Sequence, residues 1–158
     1  MNLDVAPWNY IDAERVQALH AAEMQRGGVQ WGPPREGCVE GSIGSAMTAA
    51  LYSADDEPDL ITAAAHLLFK IAKNHCFTDG NKRAAFLAVV DVFASNGLRI
   101  VADQTDAASL VENVADDTYD VFKVIEWLGK PERLQALTVA EVTLLSLSET
   151  MPIGIVSR

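Results

Sequence analysis

His75-Cys76-Phe77-Thr78-Asp79-Gly80-Asn81-Lys82-Arg83 is a polar stretch set between two apolar segments of helical spacing. On its N-terminal side Leu60, Ala64, Leu67, Leu68 and Ile71 recur along one stripe, which predicts a helix opened by Pro58-Asp59. His75 falls on the same stripe, so it is expected to point inward at the helix end. On the C-terminal side the pattern predicts a helix from near Asn81 to Asn96-Gly97, where either residue suits the left-handed C-cap conformation. From Ala84 to Ala94 its only charged residue is Asp91, and a helix apolar on nearly all sides is the central member of a bundle. These two segments set the fold class: all-α, a helical bundle with a central buried helix and a polar loop between the third and fourth helices.

The flanking chain reads as helical too. Asp12 is expected to cap a first helix that carries Val16, Leu19 and Glu23 and stops at Gly27-Gly28. Pro33, Pro34 and several glycines mark residues 29–42 as a loop, followed by a short second helix over Ile43–Tyr52. Two more helices are expected near Asp106–Ala115 and Thr118–Leu128. After Pro131 the chain restarts with Thr138-Val139-Ala140-Glu141, which has the form of a capping box, and that helix should end near Leu147. The reading divides the chain into a main domain over 1–130 and a C-terminal helical extension over 131–158. The apolar Val139, Val142, Leu144, Leu145 and Leu147 suggest that the extension is a partly autonomous docking element.

With 158 residues, 49% of them hydrophobic, the chain suits one compact domain. A formal charge of −10 argues against nucleic acid as a partner, since phosphate backbones are held by Lys and Arg. Apolar runs such as Ala84–Val90 are too short to cross a bilayer. Two cysteines, Cys38 and Cys76, make no disulfide framework. With no signal-like leader, they point to a reducing, cytoplasmic location.

The charge pattern singles out the opening stretch. Between Leu60 and Val90 the only carboxylate is Asp79, while Lys70, Lys73, Lys82 and Arg83 crowd the same window. Lys82 and Arg83 also occupy the first turn of the fourth helix, beside the positive end of its dipole. Each charge there is unfavourable by roughly 0.3–1 kcal/mol. An anion bound at the free N–H groups of that helix start would offset the cost. Without such an anion, the same residues read as a solvated basic turn.

The stretch resembles the motif of the Fic/Doc family, HxFx(D/E)GN followed by Lys or Gly and then Arg, and matches it at every defined position through Arg83. Within the family it is similar to the death-on-curing (Doc) toxins of type II toxin–antitoxin systems. Arg35-Glu36-Gly37, Asn96-Gly97 and Trp127-Leu128 add to the likeness, which covers about residues 9–130. The resemblance implies a Fic-fold bundle that transfers the γ-phosphate of ATP, or another nucleoside triphosphate, with Mg²⁺ to a hydroxyl of a target protein. Elongation factor Tu is the target it suggests. AMP transfer on the same fold is the alternative. AMP-transferring members carry Gly at position 82 and a second Arg at position 86, where this chain has Lys82 and Phe86. The family's self-inhibiting motif, (S/T)xxxE(G/N), finds only its second half in Glu40-Gly41, with Glu36 where Ser or Thr is needed. A separate antitoxin is therefore expected.

The resemblance assigns each residue a role that its chemistry can fill. His75 is the general base on the target hydroxyl, because imidazole titrates near neutral pH. Asp79 is the metal-holding carboxylate, since Mg²⁺ takes one or two carboxylates plus phosphate oxygens. Gly80 allows close backbone approach to phosphate, and Asn81 donates to its oxygens. Lys82 and Arg83 neutralise charge during transfer. Read alone, His75 would be a satisfied core residue and Asp79 a plain N-cap. Phe77 is expected to anchor the loop in the core. His66, expected on the opposite side of the third helix, reads as a surface residue, which disfavours a metal site built from His66, His75 and Asp79. Cys76 stands where many members have Pro and reads as structural. His20 carries no signal.

Overall fold

The computed structural model describes residues 8–53, 59–147 and 155–156. In chain order the elements are α1 (Ala13–Arg26), α2 (Cys38–Ser53), α3 (Leu60–Asn74), α4 (Asn81–Ser95), β1 (Leu98–Val101), α5 (Gln104–Ala115), α6 (Val121–Leu128), β2 (Leu134–Ala136), α7 (Val139–Leu147) and β3 (Ile155–Val156). The fold is an all-α bundle, as expected, with a small sheet at one end. Pro58 and residues 148–154 and 157–158, which belonged to the expected third helix and extension, lie outside the described residues.

Four helices begin at an aspartate whose carboxylate accepts from the third residue beyond it: Asp12 from Arg15, Asp59 from Thr62, Asp103 from Asp106 and Asp120 from Lys123. Each such cap satisfies one orphan amide and stabilises by about 1 kcal/mol. Asp103 and Asp120 set starts two residues before and three residues after the expected Asp106 and Thr118. Helix α2 begins at Cys38, five residues before the expected Ile43, and absorbs Gly41, a residue that had argued for a loop. Its buried Val39, Ile43, Ala46, Met47 and Ala50 pack inward, so tertiary burial overrides weak local propensity.

Helix α4 is the axis of the bundle. It touches α1, α3, α5 and β1, and every residue from Ala84 to Ala94 except Leu87 is buried. The one charge between Ala84 and Ala94 is explained by a partner: Arg15 of α1 donates from Nε and Nη2 to one oxygen of Asp91, at 3.0 and 2.7 Å. Asn96 ends the helix and Gly97 takes the left-handed turn at φ 79°, which feeds β1.

The sheet was not anticipated. Its order is β2-β1-β3. β1 pairs antiparallel with β2 (Ile100 opposite Leu134) and parallel with β3 (Ile100 opposite Ile155). Arg133, only 8% exposed, ties this region to the bundle. Its guanidinium donates to the carbonyls of Trp127 and Val101, pairs with Asp106 and lies 3.8 Å over the Trp127 ring. The expected capping box is present: Thr138 N–H donates to Glu141 Oε1 and Glu141 N–H to Thr138 Oγ1, both at 3.1 Å. On α7, Val139, Val142 and Leu144 are exposed. Among the described residues, no helix is long and apolar enough to cross a membrane.

Candidate active site

The loop between α3 and α4 begins with a break in helical geometry. Helix α3 ends at Asn74, and His75 takes the left-handed conformation, φ 51° and ψ 46°, at a cost of roughly 1–2 kcal/mol for a non-glycine residue. The break carries His75 off the α3 stripe. Contrary to the expected inward orientation, His75 is exposed, because a helical projection ceases to apply once the backbone leaves the helix. Strain at a residue proposed to do chemistry is a common feature of working sites.

Three contacts hold the loop's entrance. The N–H of Arg35 donates to the Cys76 carbonyl at 2.9 Å, and its guanidinium donates to the carbonyls of Asn74 and His75 at 2.5 and 3.3 Å. Arg35 thereby satisfies acceptors that every helix end leaves orphaned. Cys38 and Cys76 form a disulfide with Cα atoms 5.4 Å apart, joining the start of α2 to the residue after His75. This corrects the reading of the pair as unlinked thiols. Two cysteines make no framework, yet one bridge needs only two residues placed side by side, and their separation in sequence hid that placement.

The middle of the loop is fixed from beneath. Phe77 is buried, as expected for an anchor, and stacks on His20 of α1 with ring centroids 3.7 Å apart. The Asn81 side chain donates from Nδ2 to the Phe77 carbonyl and accepts at Oδ1 from the Phe77 N–H, at 2.8 and 3.0 Å. Asn81 was expected to face phosphate; here its carboxamide is committed to the loop backbone. Gly80 has a structural reason besides the one expected. At φ 83° it takes a conformation natural to glycine, and a Cβ there would meet Met24 Cε at 2.5 Å. The close approach is to α1.

Gly80 is the N-cap of α4, and no side chain caps this helix. The exposed Asp79 carboxylate accepts at Oδ1 from the Gly80 N–H at 2.7 Å. Residues 79–83 line one cleft of about 470 Å³, whose apolar lining includes Phe86 and Val111. Lys82 reaches across it to Glu112 of α5, Nζ to Oε1 2.6 Å, while Arg83 is exposed. The structure thus gathers Asp79, Gly80, Asn81, Lys82 and Arg83, and His75 stands outside the lining of that cleft. Phe86 occupies the position of the second Arg and meets Trp127 edge-on at 6.5 Å.

Among the described residues no three His, Cys, Asp or Glu side chains gather to hold a metal. The exposed Asp79 carboxylate would suit a hydrated Mg²⁺, which prefers one or two carboxylates together with phosphate oxygens. His66 is half-buried on α3, less open than a surface histidine. Burial, and secondarily the charge of Lys70, lower its pKa below the ordinary value. His20, unread in the sequence, is 3% exposed and sits 2.7 Å from the Asp79 carbonyl. Its only sequence signal was a histidine among the inward residues of α1.

Comparison with known proteins agrees with this geometry. The Fic/DOC family model matches residues 10–92. A 55-residue stretch is 42% identical to Toxin Doc of Mycolicibacterium smegmatis (strain ATCC 700084 / mc(2)155), covering 35% of this chain and 42% of that relative. The matched part is therefore less than half of the relative's length. The family match spans more than half of the chain and takes in the whole of the loop and most of α4, and the chain belongs to the Fic/DOC family.

Proposed function

We propose that the protein is a Doc-type toxin that transfers the γ-phosphate of ATP or a related nucleoside triphosphate to a hydroxyl of a target protein. The observation that carries this reading is the uncapped start of α4, with Lys82 and Arg83 in its first turn and Phe86 one turn on. Uncapped amides and two cations suit a phosphoryl group. Phe86 offers no donor to the β- and γ-phosphates, which would need a cation as they leave during AMP transfer. Lys82 adds bulk and charge where glycine would leave room.

In this reading His75 takes the proton of the target hydroxyl as its oxygen attacks the γ-phosphorus. The bond to the β,γ-bridging oxygen breaks, and a nucleoside diphosphate leaves. The solvent-facing His75 suits a base that must meet a side chain presented by another protein. Lys82 and Arg83 bear the charge of the transferring group. Asp79 would hold Mg²⁺, which supplies charge neutralisation across phosphate oxygens.

Elongation factor Tu is the target this reading names, and a separate antitoxin its control. Action on a translation factor places the protein in the cytoplasm. The experiment is transfer from γ-labelled and α-labelled ATP to purified elongation factor Tu and to total cell protein. γ-Label alone on a protein band supports phosphate transfer. α-Label on protein would replace it with AMP transfer, and no label from either nucleotide would overturn both.

A further inference from the structure

We propose that His20 is a positioning residue that holds the Asp79–Gly80 peptide with its N–H toward the cleft. The inference rests on the phosphate-transfer reading of the site and adds a residue that lies outside the sequence motif. His20 is 3% exposed, yet its Nε2 lies 2.7 Å from the Asp79 carbonyl oxygen. A carbonyl only accepts, so Nε2 carries the proton and donates. The ring is held by its stack on Phe77, and Phe77 is itself held by Asn81.

The consequence follows from peptide geometry. In a trans peptide the C=O and N–H point to opposite sides of the unit. With the Asp79 oxygen drawn toward α1, the Gly80 N–H must face away from α1, where Asp79 Oδ1 now accepts it. Glycine resists rotation of this peptide less than other residues, because it tolerates several backbone conformations. Rotation would turn the carbonyl oxygen, with its partial negative charge, toward the position assigned to phosphate. His20 thus keeps the carbonyl acceptor away from the position assigned to phosphate and the Gly80 N–H, here bonded to Asp79 Oδ1, on the opposite side of the peptide. It also fixes the residue whose carboxylate would hold the metal, although the imidazole touches neither phosphate nor target.

The test uses the full-length protein with His20→Phe, which retains the stack and lacks the donor, and His20→Gln, which restores a donor. Mg·ATP affinity is measured by calorimetry, and the Gly80 amide signal is followed by ¹H–¹⁵N NMR. Expected for His20→Phe is a moved or doubled Gly80 signal with at least about tenfold weaker Mg·ATP binding, the scale of one hydrogen bond to a charged group. Expected for His20→Gln is recovery of both. An unmoved Gly80 signal with wild-type affinity in His20→Phe would overturn the proposal. So would loss of affinity that His20→Gln leaves unrepaired. Should His20→Phe fail to fold, ¹⁵N NMR of the wild-type imidazole decides: an unprotonated Nε2 overturns the proposal, and a protonated Nε2 with a hydrogen-bond coupling to the Asp79 carbonyl supports it. If the wild type binds no Mg·ATP, the phosphate-transfer reading fails, while the Gly80 signal still reports on His20.

Discussion

Lys82 Nζ lies 2.6 Å from Glu112 Oε1, so a cation proposed to meet phosphate is held by a carboxylate of the facing helix. Both side chains are substantially exposed, and such pairs contribute little. Glu112 nonetheless competes with phosphate for the charge of Lys82. Glu112→Gln is expected to tighten Mg·ATP binding about two- to fivefold at low salt, matching a surface pair of up to about 1 kcal/mol. Calorimetry at two salt concentrations checks this, and the gain should shrink as salt rises.

His75→Ala is expected to lower phosphate transfer by about a hundred- to ten-thousandfold. An exposed side chain contributes little to packing, so the thermal midpoint should stay within a few degrees. Unchanged transfer by the variant would remove His75 from the mechanism. A large fall in the midpoint would show that its backbone strain is stabilised by side-chain contacts.

The Cys38–Cys76 bridge closes a loop spanning a sequence separation of 38, for which chain entropy gives about 4 kcal/mol of stabilisation at most. Reductant should therefore lower the urea midpoint, and Cys38→Ser with Cys76→Ser should remove the response. In a reducing compartment the pair exists as thiols. Protein alkylated directly on cell lysis should then carry two added groups, and none if the bridge persists there.

Local features were legible and non-local ones were not. Asp12, Asp59 and the Thr138–Glu141 box were readable because a cap acts within one turn of its own residue. The central α4 was readable from its nearly unbroken apolar run. β1 and β2 were missed because strands of four and three residues show no periodicity, and their pairing joins segments far apart in sequence. His20, Arg35 and the Cys38–Cys76 bridge were missed as parts of the loop for the same reason. Each comes from another helix or loop and meets the motif only in the fold. His75 failed differently: its side chain was placed by extrapolating a helix one residue beyond its end.

Arg133→Ala should cost about 2–4 kcal/mol, since it leaves the Trp127 and Val101 carbonyls and Asp106 without their partner. Arg133→Met should recover part of this by covering the Trp127 ring. Urea unfolding of both variants measures it. Truncation after Gly129 removes Arg133 and β2 together, so its loss should exceed that of Arg133→Ala. An unaltered midpoint in the truncated chain would show that residues 131–158 are dispensable to the bundle.

Stability should fall as pH drops through the ordinary histidine range, in part through His66. Its folded pKa lies below the ordinary 6.5, so the folded protein binds fewer protons than the unfolded chain. Stability then rises with pH across that window and declines below it. The difference in urea midpoint between pH 7.5 and pH 5.5 should be smaller in His66→Gln than in the wild type, and an equal difference would exclude His66 as a source.

Met24 reaches so close to Gly80 that a Cβ would lie 2.5 Å from its terminal carbon. The two positions consequently do not mutate independently. A methyl group at position 80 meets the left-handed backbone, the thioether of Met24 and, at 3.1 Å, the imidazole of His20, and only the thioether contact is relieved by shortening Met24. Double substitution should be less harmful than the sum of the single changes, yet never neutral. A glycine that the motif alone would credit to phosphate is thus kept in part by a methionine on another helix, and sequence drift at the loop is constrained by drift in α1.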